Sequence, residues 1–252
     1  MKTICCILLS LFIAFPLYAQ NYNFFIEKAD KYYEIFENIQ ALQYYEKAYA
    51  ICPDNYEVLL KLARTCNDIG EDLNSKSSKE YYVKAVGYAK PLQEKYPDKA
   101  ESHYYLAVSQ GNLALFKGGR EKVKLSRKIE KNAKKAIEID PEFFGPYIVL
   151  GMYYREVANS NWFSKSFAKT FFGGLPDGTN RDSERMLLKA IELDPRNIYA
   201  RHELAKTYIK MGRKDQAIQY LKEVIELPRY DHQDLQKKAE AKVILKKLMK
   251  SK

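Results

Sequence analysis

Sequence motifs typical of catalytic or metal-binding sites are lacking in this chain. It has three histidines, and none of them has a partner residue at metal-ligand spacing or belongs to an H-E-x-x-H pattern. The nucleophile pattern G-x-S-x-G is absent, and the Gly118-Gly119 pair lacks the spacing and the Lys-Ser/Thr dipeptide of a phosphate loop. We therefore predict a protein that is not an enzyme and that has no catalytic residue, no cofactor and no metal site.

Glycine, proline and long apolar runs are limited as well. With 11 Gly and 9 Pro among 252 residues, and 46% hydrophobic residues, the composition excludes a low-complexity chain and is ordinary for a globular protein. No segment alternates apolar and polar residues as a half-buried strand would. After residue 19 no apolar run is long enough to span a membrane.

The first nineteen residues have the layout of an export signal. Lys2 is followed by an apolar run from Ile4 to Phe15, and Ala19 precedes the expected cut before Gln20. The run is short for a membrane span, which needs about 20 apolar residues. We predict a signal peptide at 1–19 and a periplasmic or otherwise extracytoplasmic mature protein, with an uncleaved membrane anchor as the alternative.

A short sequence motif with a proline that would end a helix recurs along the chain. The prolines are Pro53, Pro97, Pro141, Pro195 and Pro228, at intervals of 44, 44, 54 and 33 residues. A tetratricopeptide (TPR) repeat has about 34 residues, so three intervals are one repeat plus an insertion of about ten or twenty residues. Small residues recur where the two antiparallel helices of each repeat would cross: Ala29, Ala41, Ala63, Ala85, Ala107, Ala136, Gly151, Ala190, Ala205 and Ala217.

These positions predict an all-α, TPR-like α-solenoid with about five helix pairs, insertions and a C-terminal capping helix. It occupies residues 20–252 as one helical domain. The expected helix pairs span about 22–51, 56–95, 100–138, 144–193 and 198–226, and the capping helix spans 232–250. In this register Cys52 and Cys66 lie too far apart for a disulfide, whose Cα atoms are within about 7 Å, so we expect two buried thiols.

The second insertion continues into a basic helix. Residues 117–135 contain nine Lys or Arg and two Glu, a net charge of +7. The simplest interpretation is a solvated helix face, and the alternative is a peripheral contact with a membrane or an acidic partner. The formal net charge of the chain is +10, but an exported protein whose charge is confined to the insertion and the tail is not expected to bind nucleic acid.

The third insertion has the most unusual composition. Its aromatic residues include Trp162, Phe163, Phe167 and Phe171. The three phenylalanines are four residues apart and therefore share one face of a helix. A helix packed on the repeats is the simplest interpretation, and a lid over a small hydrophobic ligand or an interfacial membrane helix are the alternatives. Residues 173–178 predict a turn, and Thr179 or Asn180 is expected to cap the next helix.

This insertion and the helix after it resemble a known protein family. The run from Trp162 through Phe172-Gly-Gly-Leu-Pro-Asp-Gly-Thr, followed by a helix that ends in Glu-Leu-Asp-Pro195, is similar to the signature of the regulator of microtubule dynamics family. The resemblance covers about residues 100–228 and implies a TPR-like helical domain without established catalytic residues. Because the leader looks bacterial, we expect an exported bacterial member that meets no microtubules. A weaker similarity is to the TPR accessory subunit of TRAP-type transporters.

The first helix of each TPR pair lines the concave face of an array. By register, the exposed positions on these helices include Tyr33, Arg64, Asn67, Tyr104, Asn112, Met152, Arg155, His202, Lys206 and Lys210. This mixture of residue types suits an extended peptide or an acidic tail. We predict a non-enzymatic protein–protein interaction scaffold that binds a protein or peptide partner. The alternative is a small-ligand-binding accessory protein of a transporter, with the 162–172 helix lining or covering a hydrophobic pocket.

Overall fold

The computed structural model describes residues 21–73, 75–159, 178–231 and 233–250, without the side chains of residues 119 and 120. The predictions made for the leader, for His232 and for the aromatic residues 162–171 lie outside these ranges. Within them every regular element is an α-helix, as the absence of strand patterning predicts. None of the described helices combines the length and the apolar character that crossing a membrane requires.

The chain divides into two compact units, one up to Pro97 and one from Asp98. The first unit contains α1 at 21–34, α2 at Asn38–Ile51, α3 at Tyr56–Leu73 and α4 at Ser78–Lys95. The second contains α5 at Ala100–Ala114, α6 at Gly119–Ile139, α7 at Phe144–Asn159, α8 at Asn180–Leu193, α9 at Ile198–Lys210, α10 at Lys214–Glu226 and α11 at Asp234–Lys250. Consecutive helices pack against each other within each unit.

Four of the five recurring prolines end helices by one shared geometry. The residues before them, Cys52, Tyr96, Asp140 and Asp194, all have an extended φ between −126° and −135°. Proline restricts the preceding residue in this way, because its ring collides with a helical backbone there. Each of these residues still donates its N–H to the carbonyl four residues back, so the last turn of the helix is closed. These prolines therefore mark the ends of the helices because they constrain the backbone of the residue before them.

The small residues lie at helix crossings, as predicted. The predicted alanines are all fully buried. At Gly151 on α7, an added Cβ would lie 2.5 Å from Leu187 Cγ on α8. The backbones of these two helices approach so closely that no side chain fits between them without displacement. The leucines that precede the small residues on the first helices, Leu62, Leu106, Leu150 and Leu204, are buried and fill the space between the helix pairs.

The first insertion lengthens two helices rather than only a turn. The sequence suggests a longer turn between Glu71 and Glu80, but α3 continues to Leu73 and α4 begins at Ser78. The additional turn of α3 packs closely against α4, because a Cβ added at Gly70 of α3 would lie 2.4 Å from Tyr82 Cε1 of α4. Tyr82 is buried, and the area that its ring removes from water stabilises the extra helical turn.

Both cysteines of the described residues are free thiols. Cys66 is buried, and burial raises the pKa of its thiol to about 12. Cys52 lies at the end of α2 and is half-buried, so the prediction of two buried thiols is wrong for this residue. The reason is its position: a residue that closes the last turn of a helix next to proline faces the surface of the turn.

Candidate interaction surface

The first helices of successive pairs form a continuous row in the second unit. Helix α7 contacts both α5 and α9, and α9 also contacts α11. The second helices α6, α8 and α10 each pack against the first helix that precedes them. The row of first helices is the surface on which the sequence predicts partner binding, and polar side chains join its members.

The strongest connection between α7 and α9 is a buried ion pair. The Arg155 guanidinium on α7 forms a salt bridge with the Glu203 carboxylate on α9, and both side chains are at most 5% exposed. Arg155 Nη1 also donates to the Glu203 carbonyl oxygen at 2.8 Å. Lys206 Nζ donates to the second carboxylate oxygen of Glu203 at 2.9 Å. Each charge is therefore paired and hydrogen-bonded, the condition under which buried charges are tolerated.

The carboxylate of Glu203 is stabilised in its ionised form. Burial by itself would raise the pKa of Glu203, but the charge of Arg155, the His202 side chain and the charge of Lys206 hold this pKa well below its usual range. A protonated Glu203 would leave the Arg155 cation buried without a counter-charge. The pair consequently behaves as one unit, and neither member can be removed alone without a large cost.

Polar contacts continue from this pair to α8 and α11. Thr207 Oγ1 lies 2.9 Å from Ser183 Oγ on α8, and both hydroxyls are buried. On the other side, His202 Nε2 lies 3.5 Å from Glu240 Oε2 on α11. The buried cluster, which we define as Arg155, Ser183, His202, Glu203 and Thr207, therefore links the last two repeats of the second unit, and His202 extends the contacts to α11.

A second line of contacts crosses the same helices closer to the surface. Tyr199 on α9 donates its hydroxyl to Met152 Sδ on α7 at 3.5 Å. On the other side of the ring, Lys237 Nζ of α11 lies 5.1 Å from the Tyr199 centroid, within range of a cation–π interaction. Two independent sets of side chains thus hold α7, α9 and α11 in one arrangement.

The predicted partner-binding residues of this unit divide into buried and accessible ones. The expectation that Arg155 and His202 are exposed is wrong: they are 4% and 1% exposed. Helical register places them on the correct face of their helices, but the next first helix covers that face. Lys206 keeps about two fifths of its side chain exposed, with a relative exposure of 39%, and Lys210 is exposed. These two lysines lie one turn apart on α9 and are accessible cations.

The remaining predictions for the second unit lie on α5. Tyr104 is half-buried, and its ring centroid lies 4.8 Å from that of Phe143 in an edge-to-face arrangement. A Cβ at Gly145 would lie 2.8 Å from the Tyr104 ring, so the tyrosine packs over the start of α7. Asn112 is half-buried near the end of α5.

In the first unit, two of the three predicted residues come together. The Arg64 guanidinium carbon lies 3.9 Å from the centroid of the Tyr33 ring. The Tyr33 hydroxyl donates to Asp68 Oδ2 at 2.7 Å, which joins α1 to α3. Tyr33 and Arg64 are half-buried and accessible, but Asn67 is 2% exposed and donates to the Ala63 carbonyl oxygen, so its predicted exposure is wrong. A short amide that reaches its own helix backbone is satisfied there and turns away from water.

Glu203 is the main residue that sequence reasoning missed. A glutamate on a solvent-facing helix is usually a surface charge, and nothing in the helical period of α9 marks it as different. One signal was available: Ala200 and Thr207 lie one turn before and one turn after it and are small. Small neighbours on the same face indicate that another helix approaches closely there. The acid that pairs with Arg155 could be assigned only by knowing which helix that is.

The cap predicted for α8 is present. Thr179 accepts a hydrogen bond from the Asp182 N–H at 3.1 Å, and Asp182 in turn accepts one from the Thr179 N–H at 3.1 Å. This reciprocal pair is a capping box, and the hydrogen bonds from Thr179 lower the pKa of Asp182. Helix α8 therefore has a well-defined N-terminal end.

Across the described ranges, no group of three or more His, Cys, Asp or Glu side chains lies close enough together to hold a metal ion. The aromatic residues that could line a ligand pocket, Trp162, Phe163, Phe167 and Phe171, lie outside those ranges. The geometry of the row is thus that of a surface with a rigid polar interior and a few accessible cationic and aromatic side chains.

Comparison with known proteins identifies both relatives and a fold. A family model described as Regulator of microtubule dynamics protein 1-3 matches residues 25–249. Regulator of microtubule dynamics protein 1 of Bos taurus is 28% identical over 88% of this chain and 70% of its own length. The Mus musculus protein of that name is 29% identical over 75% of this chain, which spans 63% of the length of that relative.

Among solved structures, a thermophilic TPR protein of Thermus thermophilus matches 88% of this chain and 99% of its own, with a TM-score of 0.65 and 20% identity. At that identity the likeness concerns the fold alone. Together with the helix pairs and their small crossing residues, it confirms the predicted TPR-like α-solenoid class.

Proposed function

This chain belongs to the regulator of microtubule dynamics family, and on that premise we propose that it is a non-enzymatic scaffold that binds a protein or peptide partner on its first helices. The family model matches residues 25–249, a longer segment than residues 100–228, over which the sequence resembles the family. The name of these relatives refers to microtubule dynamics. Our proposal takes from them the helical interaction domain and leaves out microtubules, because the leader has the layout of an export signal.

The observation that carries this proposal is the cross-linked row α7, α9 and α11. A surface whose helices are joined by a buried ion pair and a second line of contacts loses little conformational entropy when a partner binds. Lys206 and Lys210 on this surface, and Tyr33 with Arg64 in the first unit, offer cationic and aromatic contacts. Each of these two sets suits an acidic peptide in an extended conformation.

The test is a comparison of captured partners from intact cells. Arg64→Ala in one variant and Lys206→Ala with Lys210→Ala in another are expected to lower the crosslinked yield of specific partners at least about fivefold, since interface cations contribute on the order of 1–2 kcal/mol each. Lys90→Ala with Lys222→Ala removes two exposed lysines from second helices and is the matched control. Retention of every partner by both test variants would refute the proposal, as would an equal loss in the control.

Arg155 is deliberately left out of these variants. It is buried in the ion pair with Glu203, so its replacement would unfold or distort the surface instead of removing a contact. A loss of partner in such a variant would not report on binding.

We also propose that the protein is exported and that its leader is removed. The supporting feature is the leader itself, with Lys2, the apolar run 4–15 and Ala19. The protein isolated from its native cells is expected to begin at Gln20, as measured by intact mass and N-terminal sequencing. A mass that includes residues 1–19 would favour the uncleaved anchor instead, and cytoplasmic fractionation of the intact chain would overturn export.

A further inference from the structure

One face of α6 is a row of exposed cations. The opposite face is buried, with apolar or small residues at the helical period: Val123, Ser126, Ile129, Ala133 and Ala136. The outward face carries the exposed residues Lys124, Arg127, Lys128, Lys131 and Lys134. Lys124 and Lys131 are two turns apart, about 10 Å along the helix axis. We call Lys124, Lys128 and Lys131 the basic stripe.

The acids near this face neutralise other cations and leave the basic stripe charged. Glu130 pairs with Lys134 at 2.7 Å, and Glu138 pairs with Lys135 at 2.6 Å. At the other end of the helix, Glu121 pairs with Lys117 at 3.1 Å. Within the described part of the chain, no ion pair joins a member of the basic stripe to an acid. The stripe is therefore an unneutralised surface of about +3 within two helical turns, and the Cβ atoms of neighbouring members are about 5–6 Å apart.

An exposed apolar side chain lies at the N-terminal side of the same helix. Leu115, in the turn between α5 and α6, is 69% exposed, as much as any large apolar residue in the described ranges. The contact of such an exposed leucine side chain with water is unfavourable. This free energy is recovered only when the side chain enters an apolar environment. Its position next to a cationic helix combines the two features of a peripheral membrane contact, an apolar anchor and a polybasic surface.

The shape of the face favours a membrane over an acidic protein. The basic stripe is the outward face of a single helix and consists of lysines, whereas the residues that anchor protein partners are most often Trp, Tyr and Arg. Its members are lysines, which are compact point charges on flexible stems and can follow a fluid layer of headgroups without a fixed geometry. Clusters of cations on a helix surface are also the usual signal for anionic headgroups.

We propose that the basic stripe of α6 together with Leu115 is a peripheral binding site for an anionic lipid surface. The lysines contact the phosphate and carboxylate groups of the headgroups, and Leu115 enters the boundary below them. This site is separate from the row of first helices, so it does not depend on the proposed scaffold function. It would hold the scaffold at a membrane while its first helices remain available.

The experiment measures vesicle binding by the purified protein in the form in which cells accumulate it. Vesicles of phosphatidylcholine with phosphatidylserine are compared with pure phosphatidylcholine, so that headgroup charge is separated from any apolar insertion. The protein is expected to prefer the anionic vesicles. The preference is expected to decline as salt shortens the Debye length from about 10 Å to about 3 Å.

Three substitutions locate the site. Lys124→Gln, Lys128→Gln and Lys131→Gln together are expected to weaken anionic binding about a hundredfold, because each lysine near such a surface contributes about a fivefold effect. Lys242→Gln, Lys246→Gln and Lys247→Gln remove the same charge from exposed positions on α11 and are expected to leave most of the binding. Glutamine keeps high helix propensity, and circular dichroism melting verifies that both variants are folded.

A fourth substitution distinguishes a membrane from an acidic polypeptide. Leu115→Ser leaves the charge unchanged and is expected to weaken vesicle binding several-fold, while leaving binding to soluble polyglutamate unaltered. The proposal is overturned if anionic and neutral vesicles bind equally or if the α6 and α11 variants lose binding equally. It is also overturned if polyglutamate binds through the basic stripe while vesicles do not, which would assign the face to an acidic protein.

Discussion

Glu203→Gln is expected to lower the free energy of unfolding by about 3–5 kcal/mol, because it leaves the Arg155 cation buried without a counter-charge. The substitution preserves the shape of the side chain, so the loss reports on charge and not on packing. Urea denaturation monitored by circular dichroism measures it. Glu138→Gln removes a carboxylate of the same type from an exposed pair with Lys135 and is expected to cost less than about 1 kcal/mol.

The pair should also show strong coupling. Arg155→Met with Glu203→Leu removes both charges and is expected to be more stable than either single variant, since apolar side chains of similar volume tolerate this environment. Additive losses in the double variant, or a loss below about 1 kcal/mol for Glu203→Gln, would mean that water reaches the pair and screens it.

The same pair has a defined dependence on pH. The pKa of Glu203 is held well below its usual range in the folded protein, so its contribution to stability is complete above the unfolded carboxyl pKa of about 4.3. That contribution is lost as the pH falls through the lower folded pKa. The stability difference between the native protein and Glu203→Gln should therefore be constant from about pH 5 to 7 and should narrow below about pH 4.

Gly151→Ala is expected to destabilise the protein by about 1–3 kcal/mol, although alanine is ordinarily the better helix residue. The new Cβ would lie 2.5 Å from Leu187 Cγ, and Leu187 is fully buried, so it cannot move into solvent. Gly151→Leu should cost more than about 3 kcal/mol, because the larger side chain forces α7 and α8 apart.

Gly87→Ala is the matched control for this substitution. Gly87 is also in a helix, but a Cβ there would have no neighbouring atom within 4 Å. This change is expected to stabilise the protein by about 0.5–1 kcal/mol through helix propensity alone. Equal stabilisation by Gly87→Ala and Gly151→Ala would show that α7 and α8 do not cross as closely as described.

Much of the fold could be predicted from the sequence because its signals are local. The residue before each recurring proline must leave the helical conformation, so the helices α2, α4, α6 and α8 end where the pattern indicates. Alanine or glycine at the crossing positions reports a close approach between neighbours in the chain. Both the prolines and the small residues report on contacts within one repeat. They therefore recur with the repeat and can be recognised as a periodic pattern in the sequence.

The interaction surface was less predictable, since it depends on contacts between repeats. Register assigned Arg155, His202 and Asn67 to the correct faces of α7, α9 and α3. It could not show that these side chains are covered, because exposure depends on what the adjacent helix places on that face. For the same reason Lys206 and Lys210, four residues apart on one helix, have different surroundings: Lys206 pairs with Glu203, while Lys210 is exposed.

The positions of the helices, their pairing and the small residues where they cross thus follow from the sequence alone. Which charges are available to a partner depends on contacts between the repeats. Glu203 forms ion pairs with Arg155 and Lys206 inside the second unit. On α6, Glu130 and Glu138 form ion pairs with Lys134 and Lys135, whereas Lys124, Lys128 and Lys131 have no ion pair among the described residues. The physical reason is that a helical period specifies the direction of a side chain, whereas the energy of a charge depends on its burial and on the opposite charges within a few ångströms.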